Sequence, residues 1–193
     1  MTTIVFATQN PHKVREIQEM LPAHFKIKSL AEIGCTEDIP ETQPTIEGNA
    51  IQKAQYIHDH YGVNCFAEDT GLEVTALNGA PGVFTARYAG PQRDANDNMN
   101  LLLKNLKDKS DRSARFKTVI ALILDGDIYT FEGIVEGQIA QKRSGSGGFG
   151  YDPIFLPEGQ SQSFAEMDKA AKNAISHRGR AMAKLLDYFA AME

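Results

Sequence analysis

Thr8, Gln9, Asn10, Pro11, His12 and Lys13 follow a short apolar run, and their types suit an anion site. Asn10-Pro11 is an N-cap followed by proline at the first helical position, so a helix starts here with unpaired N–H groups at its positive end. Two side-chain amides and Lys13, one turn in, complete a cradle for phosphate. The same residues also fit an ordinary strand-turn-helix in which Asn10 only caps. A second group is acidic. Glu68-Asp69 ends an apolar strand, where ligand-binding loops emerge, and Glu41 comes from a separate loop. Adjacent strand residues face opposite ways, so at most one of this pair points into a given cleft unless the backbone turns first. Mg2+ suits so sparse a set, taking one or two carboxylates, waters and phosphate oxygens. A solvated acidic turn before Thr70-Gly71 is the plainer alternative.

The third group is the stretch SGSGGFGYDP, in which Gly145, Gly147 and Gly150 spell GxGxxG. A dinucleotide fingerprint must open a helix after its last glycine, whereas here Tyr151, Asp152 and Pro153 lead into apolar IFLP, so that reading fails. A kinase phosphate loop fails too, for want of VAIK, HRD or DFG elements. What remains is a backbone-lined wall for a planar ligand with Phe149 or Tyr151 able to stack on a base, or simply a flexible exit from a hairpin. The fourth group is cationic. Asn49 and Lys53 share a helical face opposite an apolar stripe, Lys169 and Lys172 recur at i+3, and Ser176-His177-Arg178 opens a last helix with a serine cap. Solvated lysines, a capped helix and a structural histidine account for the same letters.

The elements that would position these residues follow from periodicity and punctuation. Thr3 to Thr8 predicts a buried strand, and Val14, Ile17 and Leu21 carry the first helix to Pro22. Phe25 to Leu30 predicts a strand, and 34–44 an acidic, proline-bounded loop holding Glu37, Asp38 and Glu41. A second helix runs from about Thr45 to Tyr61, closed by Gly62. Val63 to Ala67 predicts a strand, Leu72 to Leu77 a resumed one, and 78–90 a loop of small residues. Met99, Leu102, Leu103 and Leu106 mark a helix; Arg115 to Leu124 and Ile128 to Ala140 form a hairpin about Asp125-Gly126-Asp127. A short helix at Asp168 to Ala174 and a longer one from Ser176 end the chain. This order predicts a mixed α/β sheet, in one domain over residues 1–193.

Composition limits what such a site can serve. Of 193 residues 42% are hydrophobic and 23% charged, which excludes disordered, collagenous and membrane classes. Twenty Lys+Arg against 25 Asp+Glu leave a net charge of −5, too acidic for coating nucleic acid, so any bound anion needs a local cationic pocket. Cys35 and Cys65, 30 positions apart, offer neither a zinc spacing nor a disulfide framework. The longest apolar run, Val119 to Leu124, and the absence of a signal-like start predict a soluble, cytoplasmic protein with no membrane partner.

Taken in order, TQNPHK (8–13), ETQPTIEGNAIQKA (41–54), AEDTGLEV (67–74), GAPGVFTARYAG (79–90), GGFGYDPIF (147–155) and SHRGRA (176–181) closely resemble the inosine triphosphate pyrophosphatase family over essentially the full length. The resemblance implies an elongated mixed sheet flanked by helices, with two lobes and a substrate cleft between them. It implies a homodimer that converts dITP, ITP and XTP to the monophosphate plus pyrophosphate with Mg2+. By matching positions, Thr8, Gln9, Asn10, His12 and Lys13 would hold phosphate, with Asn49 and Lys53 nearby. Glu41 and Asp69 would bind metal, and Asp69 would be the base. Thr70, Phe149, Gly150, Tyr151, Asp152, Lys172, His177 and Arg178 would contact the substrate. Gly48 stands where many members carry an acidic residue, which would loosen the start of the second helix. A Maf-like pyrophosphatase with other base selection and a non-hydrolysing nucleotide-binding module are the rivals; the SHR and FGYDP blocks oppose the first, the retained Glu41 and Asp69 the second.

Overall fold

The computed structural model describes residues 1–192. Its elements are β1 (Thr2–Phe6), α1 (Pro11–Met20), β2 (Phe25–Lys28), α2 (Ile46–Tyr61), β3 (Cys65–Val74), α3 (Ala95–Asn105), β4 (Ser113–Leu124), β5 (Asp127–Ile139), β6 (Phe155–Pro157), α4 (Lys169–Ile175) and α5 (His177–Ala190). The six strands form one sheet in the order β2-β1-β3-β4-β5-β6. β1 runs parallel to β2 and β3, and β5 antiparallel to β6, so the sheet is mixed. Residues gather into two compact units: 1–69, 119–132 and 181–193 in the first, 70–118 and 133–180 in the second.

In the first unit, Ile4, Phe6, Ile17, Phe25, Ile27, Phe66, Ile120, Leu122, Leu185 and Phe189 build the core. Burying each such side chain is worth about 1.5–3 kcal/mol. Phe6 and Phe66 are register partners on β1 and β3, and their rings stack with centroids 4.4 Å apart. The Ala7 amide donates to the Phe66 carbonyl at 2.8 Å. That packing fixes the end of β1, from which Thr8 emerges, beside the part of β3 that carries Glu68. The second unit has its own core, with Leu72, Leu102, Leu106, Phe116, Ile154, Phe155 and Phe164 all buried.

Helix starts follow the expected chemistry. Asn10, Thr45 and Asp168 each accept a first-turn amide, and the Gly179 amide donates to the Ser176 hydroxyl at 3.0 Å. The expected break at Thr70-Gly71 does not occur: β3 is one strand through Val74, and 75–77 is a 3-10 turn rather than extended chain. The loop at 78–90 contains a further 3-10 turn, Gly82–Arg87. The residues FLP, read only as an apolar continuation, add the edge strand β6 to β5.

Candidate functional site

The first unit holds a cleft of about 270 Å³ at the end of β1 and beside Glu68 of β3, lined by Thr8, Gln9, Lys13, Glu37, Asp38, Ile39, Glu41, Lys53 and Glu68 among others. Its floor is the strand-to-helix turn. The Asn10 amide donates to the Thr8 hydroxyl at 3.1 Å and the His12 amide to Asn10 Oδ1 at 3.0 Å, which closes the turn and starts α1. His12 Nδ1 lies 2.9 Å from the Arg15 guanidinium. Lys13 reaches across to Glu68, with Nζ 2.5 Å from Oε1.

Opposite Lys13, the Lys53 ammonium is the meeting point of three chain segments. It lies 2.7 Å from Glu41 Oε1, 2.7 Å from the Glu68 carbonyl and 3.3 Å from Asp69 Oδ1. Glu68 and Asp69 alternate along β3 as a strand requires: the Glu68 side chain turns to Lys13 and lines the cleft, while Asp69 is joined to it through Lys53. Three carboxylates here face two ammonium groups, so a triphosphate arriving alone would meet excess negative charge. The donor set fits a small divalent cation. Glu41 and Asp69 already converge on one cation, and Mg2+ needs only one or two carboxylates beside waters and phosphate oxygens. Among the described residues no group of three or more His, Cys, Asp or Glu forms a ready-made metal cage.

Asn49 is not on the polar face that its spacing suggested. It is 3% exposed, and its Oδ1 accepts the Gln43 amide at 2.8 Å, so it holds the loop that carries Glu41. Gly48 does not loosen the helix start either. Its amide donates to the Thr45 hydroxyl at 2.9 Å, and a Cβ there would fall 2.9 Å from Gln43 Cβ, so glycine lets loop and helix close together.

The second unit brings Phe149, Tyr151, Asp152 and Lys172 together. Lys172 Nζ lies 2.5 Å from Asp152 Oδ2 and 4.4 Å from the centre of the Phe149 ring. Asp152 Oδ2 also accepts the Phe149 amide at 2.9 Å. Phe149 is 75% exposed and presents its ring for stacking. Tyr151 does not share that role: it is buried, its hydroxyl donates to the Thr85 carbonyl at 2.7 Å, and burial pushes its phenol up. Gly150 takes positive φ beside it. The Thr70 and Thr118 hydroxyls are 2.7 Å apart. His177 is buried with its ring stacked on Phe116 at 4.7 Å, while Arg178 is half-buried in the first turn of α5. A larger groove of about 520 Å³ in this unit is lined by Glu136, Gln138 and Glu158 with no cationic side chain, which does not suit a polyphosphate.

The Ham1 family profile matches residues 4–188. A dITP/XTP pyrophosphatase of Flavobacterium johnsoniae is 56% identical over 97% of this chain and 98% of its own length. The chain belongs to the Ham1 family. The Ham1 protein of Staphylococcus aureus superposes with a TM-score of 0.95 at 35% identity over the whole of both chains. That of Coxiella burnetii does so at 0.94 and 41%, over 99% of this chain and all of the other. Ham1 membership agrees with the resemblance seen in the six ordered blocks.

Glu37, Asp38 and Ile39 of this Ham1 chain line the cleft without having been singled out as site residues from sequence, and Glu68 lines it where the sequence marked only the Glu68-Asp69 pair. Glu68 carried a signal in its strand-end position, but only a partner 55 residues away selects it over its neighbour. Glu37 was visible only as one of several acidic loop residues. Among the described residues no helix is long and apolar enough to cross a membrane.

Proposed function

We propose that this chain hydrolyses the noncanonical purine nucleoside triphosphates dITP, ITP and XTP to the monophosphate and pyrophosphate, with Mg2+ held by Glu41 and Asp69. The observation that carries the reading is the convergence of Glu41 and Asp69 on Lys53, with Lys13 of α1 paired to the neighbouring Glu68. Relatives bearing the name dITP/XTP pyrophosphatase support it.

The residues divide the work as follows. Thr8, Gln9, Asn10, His12 and Lys13 bind the polyphosphate, using the free amides of α1 and the Lys13 charge. The metal supplies charge neutralisation at the phosphates and an acidified water when bound. Asp69 accepts the proton of the water whose oxygen forms the new bond to the α-phosphorus, while the bond to the bridging oxygen breaks and pyrophosphate leaves. Lys53 orients Asp69 and Glu41 beforehand. Phe149, Gly150, Tyr151, Asp152, Lys172, His177, Arg178 and Thr70 serve the nucleoside, with Phe149 stacking on the purine and Asp152 and Lys172 holding the loop that presents it. The chain acts as a homodimer, on the family resemblance.

The test is pyrophosphate release from ITP with and without added Mg2+, wild type against Asp69→Asn. The substitution removes base and ligand but neither lysine, so turnover falls by roughly 10² to 10⁴ while nucleotide binding persists. Near wild-type kcat in Asp69→Asn removes Asp69 from the mechanism, and full turnover in excess chelator removes the metal.

A further inference from the structure

The loop that carries Glu41 is fastened to α2 at two places. At its far end, Lys53 bonds Glu41, the Thr42 amide donates to Gln52 Oε1 at 2.8 Å, and the Gln43 amide donates to Asn49 Oδ1. At its near end, Glu37 Oε1 accepts two phenol hydroxyls, from Tyr61 at 2.7 Å and from Tyr56 at 3.3 Å. The second carboxylate oxygen of Glu37 accepts the Thr36 amide at 3.1 Å. Asp38, Ile39 and Pro40 bridge the two fastenings, and Asp38 and Ile39 form part of the cleft wall.

Both phenols are well held. Tyr61 is the last residue of α2, and Gly62, in the left-handed conformation, closes the helix with its amide on the His58 carbonyl. The Tyr56 ring stacks on His60 with centroids 4.0 Å apart. Cys35, fully buried just before Glu37, anchors the loop entry through its amide on the Leu30 carbonyl. The Tyr61 hydroxyl holds the Glu37 carboxyl down at about 2, so it stays an ionised acceptor at any working pH. An exposed carboxylate with two aromatic donors at the mouth of a substrate cleft does little for the core. Its geometric effect falls on the three-residue span that leads to Glu41.

We infer that Glu37, clasped by Tyr61 and Tyr56, is a positioning residue that latches the Glu41 loop onto α2 and so holds Glu41 at its reacting geometry. The inference rests on the proposed hydrolysis for its kinetic consequence, and on the loop itself for its structural one. Without the latch the loop stays tethered at residues 41–43 but loses its second fixed point, so Glu41 samples a wider arc.

The experiment compares wild type, Tyr61→Phe, Glu37→Ala, Glu37→Gln and the double variant Tyr61→Phe/Glu37→Ala. Each is followed by kcat and KM on ITP and by amide hydrogen exchange over 36–44 in the nucleotide-free protein. Loss of the latch lowers kcat by roughly three- to tenfold with a smaller change in KM, because misplacement of a reacting group acts on the reacting state. The 38–42 amides exchange faster in Tyr61→Phe and in Glu37→Ala. The double variant is no worse than either single one, since both break the same contact. Glu37→Gln, which keeps the acceptor oxygen, recovers most of both readouts. The inference is overturned if Tyr61→Phe is silent while Glu37→Ala is impaired, since Glu37 then acts on its own, if the two effects add, or if exchange over the loop is unchanged. A wild type that does not hydrolyse ITP counts against the proposed function alone, because the exchange measurement needs no turnover.

Discussion

Lys172 and Asp152 are both nearly buried, with side chains 12% and 4% exposed, so removing one partner leaves an unpaired charge in the second unit. Lys172→Met costs about 3 kcal/mol of stability by that mechanism, the low end of its range because the Phe149 amide still serves Asp152. A urea midpoint at neutral pH reads it, and adding Asp152→Asn recovers much of the loss if the unpaired charge is the cause. Cys65 gives a pH signature of a different kind. Its thiol donates to the Ala54 carbonyl at 3.2 Å, and burial pushes it up from 9.0 to about 12. Between those values the unfolded chain has released a proton that the folded chain keeps. Stability from this group is therefore intact below about pH 9 and falls as pH rises, by at most about 1.4 kcal/mol per pH unit. Urea midpoints from pH 8 to 10.5 fall more steeply for wild type than for Cys65→Ala; parallel slopes show that the thiol is not titrating in this way. At this scale the sequence named most of the cleft, since Lys13, Glu41, Lys53 and the Glu68-Asp69 pair stood out by type and position. It could not divide Glu68 from Asp69, because that depends on which lysine each meets across the fold.

Helices were the most legible elements because their signals are local. Asn10, Thr45, Asp168 and Ser176 were each readable as a cap or a helix start, and each accepts a first-turn amide. α1 offers a direct check. Asn10→Ala removes the acceptor for the His12 amide and costs about 1 kcal/mol. The same change loosens the turn that aims Lys13, so KM for ITP rises while kcat changes less; a stability loss with an unmoved KM would confine Asn10 to capping. Strands were less legible where glycine intervened. Thr70-Gly71 has the composition of a turn, yet β3 continues through it with β4 as its neighbour in the sheet, the Thr70 and Thr118 hydroxyls 2.7 Å apart. β6 is only three residues long and is made a strand by pairing with Gly137, Gln138 and Ile139, which no local pattern announces.

At the scale of the whole molecule, local signals give least. The first unit collects 1–69, 119–132 and 181–193, and only contacts distant in sequence reveal that grouping. The order of the six blocks carries the function instead, and base choice is its sharpest consequence. Inosine and xanthosine present a 6-oxo acceptor where adenosine presents a 6-amino donor, so a pocket of donors there, with Arg178 and loop N–H groups as the proposed ones, would take the first two. With adenosine, donor faces donor. An unsatisfied buried polar group costs about 1–3 kcal/mol, so one mismatch lowers kcat/KM for ATP by roughly tenfold to a hundredfold. Phe149 cannot supply this discrimination, since every purine offers a π-face, and the Tyr151 hydroxyl is already engaged with Thr85. Guanosine keeps the 6-oxo group, so the donor pocket alone does not exclude it, and GTP is slowed only where its 2-amino donor lacks an acceptor or space. Pyrophosphate release from ITP, XTP, GTP and ATP at equal concentration therefore ranks the first two well above ATP, and Arg178→Ala narrows the gap by slowing ITP and XTP more than ATP. Equal cleavage of ATP and ITP by the wild type would refute the donor pocket and leave a triphosphatase without base selection.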